Sequence, residues 1–372
     1  MGHLRFGARG VSYSDYGCEK NTIGVGNIFE KYSDLKFLYP EKKKEIEPFF
    51  NKIKENWDIL MSHGKDVFSV NTYCNPDKNI WSSLCSFRTT HNSWITQHLV
   101  SNNPLGSRAT MLSEQAVRIH GNMDISLQNW FQPKNKYANK IFGSIVQSIG
   151  DRYSVVNTFD YLKIPLSIIN QDEFLMGSVS LEPWYSTLRK HLLSLASLVR
   201  GEVYARAEEL DHPDVLLDGL NEKYHEIGLC RYRRIWFAFS NKTQEPLACI
   251  IAYRGPLGMN FSFLENRIDL LVHPSATIKE AEGAVKSLIW AIAGLYKDFP
   301  PAALYVATDQ RSSTILQNAG ATCIRQYSQS IWVREGFEAW YQHVERKFRI
   351  VQIAEARRKE KELQAGRVLT GL

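Results

Sequence analysis

Long apolar runs are missing from this 372-residue chain. The longest, residues 287–296, falls well short of the roughly 20 residues that a bilayer-spanning helix needs. No transmembrane segment is expected. Cysteine pairs at ligand spacing are also missing. The six cysteines (Cys18, Cys74, Cys85, Cys230, Cys249, Cys323) form no Cys-x-x-Cys and no cluster with histidines, so no metal is expected. Cys249 and Cys323 lie in apolar strand patterns, where a thiol packs as a small hydrophobe; reduced thiols in a cytoplasmic protein follow. Charge of one sign is scarce, at +6 over the whole chain, and no zinc-finger, RNA-recognition or P-loop signature is present. Specific nucleic-acid binding is therefore not expected. The first ten residues carry Arg5 and Arg9 with no apolar run behind them, which excludes a secretory signal. Phe6 replaces the Ser or Thr that a myristoylated Gly2 requires.

What is present is a hydrophobic content of 44%, enough for two packed cores. A polar run at 170–172 separates two apolar-rich regions, which predicts domains over 1–170 and 171–340 followed by a basic helix and tail over 341–372. In the second region, residues 185–209 carry leucines at helical spacing. Residues 234–239 and 247–253 flank Asn241-Lys-Thr-Gln-Glu-Pro246 as a hairpin. Then come strand 267–274, helix 279–296, strand 303–308, a short helix closing on Asn318-Ala-Gly320, and strand 322–333. The first region has a helix over 41–61, strand candidates at 66–73 and 81–87, a strand over 124–133, a helix over 135–149 and a strand over 153–159. Matching the strand that ends at Pro133 to the one that ends at Pro274 predicts a duplicated unit with a period of about 141 residues.

The order of the second unit resembles the GCN5-related N-acetyltransferase (GNAT) superfamily. The expected fold is therefore α/β, a mixed sheet of tandem GNAT-like acyl-CoA acyltransferase units. The resemblance implies transfer of an acyl group from acetyl-CoA or another acyl-CoA to a small-molecule or protein amine. It also implies that the fourth and fifth strands of a unit diverge and hold the pantetheine arm on Leu270, Leu271 and Val272. The loop after that strand would carry the pyrophosphate on glycine amides and a helix N-terminus. Only Lys279, Gly283 and Ala284 remain of that pattern here, and Glu280 and Glu282 stand where phosphate oxygens would lie. Leu316 occupies the position of the family's acid, a tyrosine. The family's base position implies Glu265 or Asp269, with His273 third because imidazole titrates near neutrality. The alternative is a non-catalytic ligand-binding or regulatory protein that keeps the fold.

Two further clusters invite a pocket. Residues 85–98 bring Arg88, His91, Trp94 and His98 into one short span, either lining a ligand site or forming a strand edge that passes into a capped helix. Asn129 and Trp130 sit at the end of a strand, where open α/β sheets collect ligands. The basic run over 344–364 alternates with glutamates and reads as a solvated amphipathic helix.

Overall fold

The computed structural model describes residues 11–120, 124–175 and 177–350. It contains one mixed sheet of twelve strands, flanked by helices. The chain begins with strand β1 (Cys18–Lys20) and helices α1 (Val25–Asp34), α2 (Pro40–Ile46) and α3 (Phe50–His63). The helix expected over 41–61 is thus divided: Pro48 lacks the amide that would continue α2, and a short 3-10 turn intervenes. Strands β2 (Phe68–Asn75), β3 (Ile80–Arg88) and β4 (Ser93–Ser101) follow, then helix α4 (Pro104–His120) and strand β5 (Ser126–Phe131). Helices α5 (Lys136–Phe142) and α6 (Ile145–Ile149) and strand β6 (Ser154–Pro165) complete the first run.

After the short helix α7 (Gln171–Phe174), the same order returns. Strand β7 (Val179–Pro183) leads to α8 (Arg189–Arg200), α9 (Glu202–Ala207) and α10 (Asp218–His225). The hairpin of β8 (Tyr232–Ser240) and β9 (Pro246–Arg254) comes next. Then follow β10 (Arg267–Val272), α11 (Ile278–Ala293), β11 (Ala303–Thr308), α12 (Gln310–Asn318) and β12 (Thr322–Val333). Residues 337–350 are helical, and the rest of the expected basic helix lies outside the described residues.

The spatial order β1-β2-β3-β4-β5-β12-β6-β11-β10-β9-β8-β7 reads the same from both ends once the last strands of the two runs are exchanged. β12 pairs with β5, and β6 pairs with β11. This order corrects the expected internal alignment. The counterpart of β10 is β4, not the strand at 124–133, which corresponds to β11. β4 escaped notice because most of its residues are buried and its core is polar, with Ser93, Thr96, Gln97 and His98. Neither apolar alternation nor an apolar run marks such a strand. Where residues 85–98 offered a ligand-site lining or a strand edge passing into a capped helix, residues 93–101 form a strand and no helix begins before Pro104.

Among the described residues the only parallel pairing in each run is between the fourth and fifth strands, and each pairing stops partway. β4 and β5 are in register from Ser93↔Ser126 to Thr96↔Asn129. β10 and β11 are in register from Arg267↔Tyr305 to Asp269↔Ala307. Beyond those points the strands part, giving two forks in one sheet. No described helix is long and apolar enough to cross a membrane.

Candidate functional site

The two forks differ in what fills them. In the second, Leu270, Leu271 and Val272 are buried, and the Thr308 hydroxyl donates to the Leu270 carbonyl at 3.3 Å. The α11 N-terminus already holds an anion: Glu280 accepts from the Thr277 amide at 2.9 Å and from its hydroxyl at 2.7 Å. A carboxylate there satisfies both the helix dipole and the orphan amides. Gly283 and Ala284 lie inside α11 on its buried face, so neither can cradle a phosphate. Lys279 is exposed. The cofactor positions expected at this fork are thus mostly core.

The expected catalytic carboxylates are also structural. Asp269 accepts from Arg267 Nε and from the Tyr204 hydroxyl, the latter at 2.8 Å. It belongs to a buried network in which Glu208 accepts from Arg267, Gln128 and Tyr253. Glu265 is fully buried and accepts the amides of Gly258 and Asn260 at 2.7 and 3.1 Å, tying together the 255–266 loop. Burial pushes its carboxyl up to about 7. His273 lies near the surface, its Nδ1 bonded to the Ser275 hydroxyl at 2.7 Å.

The first fork opens on a cavity of about 510 Å³. Asn129 donates from its side chain to the Thr96 carbonyl at 2.8 Å, bridging the point where β4 and β5 separate. Past it, Gln97, His98 and Leu99 line one wall and Trp130, Phe131 and Gln132 another. A register shift against β3, between the pairs Ser83↔Val100 and Cys85↔Gln97, puts His98 in the left-handed region at φ 50°. Its imidazole lies against Phe261, ring centroids 4.3 Å apart, and against Trp57. Nε2 accepts the Phe261 amide at 3.4 Å and Nδ1 meets no protein partner. Burial, reinforced by the Lys42 charge, lowers this imidazole to about 3, so it stays neutral and serves as a hydrogen-bonding wall rather than a base at neutral pH.

The remaining walls come from far along the chain. Lys36, Phe37 and Tyr39 belong to the α1–α2 connection and Lys42 to α2; Asn260, Phe261 and Ser262 belong to the 255–266 loop; Arg325 and Tyr327 belong to β12. Lys42 Nζ donates to Glu45 at 2.6 Å, to the Phe261 carbonyl at 3.0 Å and to Ser262 Oγ at 3.1 Å. Ser262 Oγ also shares a hydrogen bond with the Tyr327 hydroxyl at 2.7 Å. Burial lowers the Lys42 ammonium to about 8 against the opposing pull of Glu45.

Asn135 and Tyr137 also line the cavity, and β4 runs on into the first turn of α4. That turn carries no acidic residue. Asn103 caps it by accepting the Leu105 amide at 2.9 Å. Gly106 lets it approach β3: a β-carbon there would meet Ser82 Cβ at 2.8 Å. The segment Asn103-Pro-Leu-Gly106 therefore follows the fourth strand of the first run, as the segment before α11 follows β10 in the second.

Of the six expected pocket residues, His98, Asn129 and Trp130 line the cavity. Arg88, Trp94 and His91 do not. Trp94 lies between the guanidinium groups of Arg88 and Arg118 and donates to Asp124 at 3.0 Å. His91 contacts Asp214 and stacks on His212. Lys42, Ser262, Arg325 and Tyr327 were missed, and no local pattern flags them. Among the described residues no cluster of His, Cys, Asp and Glu could hold a metal.

Two forked units in tandem, with their last strands exchanged, make this an α/β protein built on a duplicated mixed-sheet plan. No family model and no curated protein matches the chain. Solved structures do. A tandem GNAT protein from the clavulanic acid biosynthesis pathway is 11% identical, with 85% of this chain and 98% of that one covered, at a TM-score of 0.38. A GCN5-related N-acetyltransferase from Sphaerobacter thermophilus is 9% identical over 72% and 81%, at 0.35. A functionally unknown conserved protein from Staphylococcus epidermidis is 10% identical over 71% and 90%, at 0.38.

Proposed function

We propose that the chain is an acyl-CoA-dependent N-acyltransferase that works at the first fork, not the second. The observation that carries this reading is the separation of β4 from β5 past Asn129, which opens a cavity walled by both strands. Beyond Thr96, the main chain of β4 has no partner on β5 and is free to pair with the amides of a pantetheine arm. The orphan amides at the start of α4, kept close by Gly106 and opposed by no carboxylate, suit phosphate oxygens. The acyl thioester supplies the electrophile.

Lys42, Ser262 and Tyr327 form a hydrogen-bonded chain into the cavity. Neutral Lys42 takes the proton that the attacking amine releases, relayed through the two hydroxyls. Because this lysine changes charge near pH 8, the acylation rate rises with pH through that value, and Lys42→Met removes the rising limb.

Titration calorimetry with acetyl-CoA and longer acyl-CoAs tests the site. Leu105 is an exposed residue in the first turn of α4. Leu105→Glu places a carboxylate there and is expected to weaken acyl-CoA binding about tenfold, near 1.4 kcal/mol. Lys279→Glu at the second fork leaves it unchanged. Equal loss from both changes, or no heat from folded wild-type protein, defeats the proposal. One observation favours the non-catalytic alternative: no carboxylate lines the cavity to act as a base. Saturable acyl-CoA binding without thiol release in the presence of amines would select it.

A further inference from the structure

The walls of the first-fork cavity contain three cations, Lys36, Lys42 and Arg325, and no carboxylate. Their one close counter-ion is Glu45, which accepts from Lys42 at 2.6 Å and from Arg325 at 3.1 Å. Three cations against one carboxylate leave a net charge of +2 in a partly enclosed, aromatic-walled space, where charge interactions are screened less than in open water. We propose that this end of the cavity binds the anionic group of a small amine, a carboxylate or a phosphate, through Arg325, Lys36 and the Tyr39 hydroxyl.

The set is arranged for that purpose. Arg325 Nη1 lies 3.3 Å from the Tyr39 hydroxyl and 3.5 Å from that of Tyr327. A guanidinium beside phenolic donors matches the oxygens of such a group. Lys36 follows α1 with φ 57°, a left-handed conformation that is strained for a side-chain-bearing residue and usually selects glycine at a helix end. Lys36 and His98 are two of the nine non-glycine residues with positive φ among those described, and both line this cavity. Strained backbone gathered at one cavity is the pattern of a binding site. The cations come from the α1–α2 region and β12, whereas residues of α5 and the loop before it line the part assigned to acyl-CoA. The anionic group therefore belongs to the acceptor. This assignment of the acceptor's chemistry rests on the acyltransferase reading; the anion site itself does not.

The test is calorimetric titration of the full chain with matched probes: phenylalanine against phenethylamine for a carboxylate, and phosphoethanolamine against ethanolamine for a phosphate. At least one member that carries the anionic group is expected to bind ten times or more tighter than its counterpart without it, and the pair that shows this identifies the anion. Lys36→Ala, at an exposed side chain outside the proton chain, reduces the preference threefold or more without loss of folding. Arg325→Gln abolishes it, with circular dichroism confirming the fold. Equal binding within both pairs, or no binding by either anionic probe, overturns the inference. So does competition between the anionic probe and CoA, which would give these cations to the CoA phosphates. If acetyl-CoA fails to bind while the anion preference stands, the acyltransferase reading falls and the anion site survives.

Discussion

Two buried titratable groups near the first fork pull the stability of this protein in opposite directions as pH changes. His98 is held at about 3 when folded, against 6.5 for a free imidazole. Between those values the unfolded chain binds a proton that the native chain refuses, so its contribution is complete above pH 6.5 and falls away on acidification. Glu265 is the reverse case, held at about 7 against 4.5. Between those values the native chain takes the proton first, so its contribution is complete below pH 4.5 and falls away as pH rises through 7. Each pKa unit is worth about 1.4 kcal/mol. Lowering the pH from 7 to 5 therefore costs about 2 kcal/mol through His98 and returns about 2 kcal/mol through Glu265.

The wild type should show little net change from this pair, and single substitutions should unmask each half. His98→Asn keeps a residue that tolerates the left-handed backbone and cannot titrate. Its stability is expected to rise by about 2 kcal/mol, relative to wild type, between pH 7 and 5. Glu265→Gln is expected to fall by the same amount. The assay is urea unfolding followed by tryptophan fluorescence at both pH values. The difference in pH slope is the readout, so any fixed destabilisation by the substitution drops out, as do the titrations of all shared groups. Parallel slopes in the three proteins would refute the burial argument for both residues.

Other substitutions test the packing around the site. Gly258→Ala sets a side chain against Ile53, whose Cγ1 would lie 2.4 Å from the new β-carbon, at a backbone φ of 80°. It is expected to cost about 2–4 kcal/mol in chemical unfolding and to loosen the 255–266 loop. Gly106→Ala meets β3 in the same way and should cost about 1–3 kcal/mol by the same measurement. Arg267→Met leaves Glu208 and Asp269 without their shared cation and should cost about 3–5 kcal/mol; a loss below 1 kcal/mol would remove the network from the list of stabilising features.

The second run was the more legible in sequence because its parts obey simple periodicities. β10 and β11 are apolar runs, and α11 carries both a capping box and an apolar face. The strand bounds 303–308 and 322–333 stand as read. The first run hid its key strand because β4 fills its buried positions with serine, threonine, glutamine and histidine, and Gln97 finds its partners Met259 and Asn260 far along the chain. Polarity marked His98, Asn129 and Trp130, which line the cavity. It also marked Arg88, His91 and Trp94, which do not, because they lie at the paired end of β4 or before it. Arg325 and Glu45 lie 280 residues apart and meet only through the crossed strands, so no window of sequence contains both.

The strand exchange explains why one fork is open and its twin closed. Because β12 lies against β5, and the loop between β9 and β10 folds over β4, the second run supplies Ser262, Arg325 and Tyr327 to the cavity of the first. Serving as a wall requires rigidity. A sealed fork, with Thr308 on the Leu270 carbonyl and Gly283 and Ala284 packed inward, gives β10 and its preceding loop a fixed footing. Glu265 completes it: a buried carboxylate is costly on its own, and here it is used to hold the Gly258 and Asn260 amides, so that Phe261 stacks on His98 and Ser262 meets Lys42. The residues that resemble a degraded catalytic centre in the second run are thus the framework that shapes the site of the first.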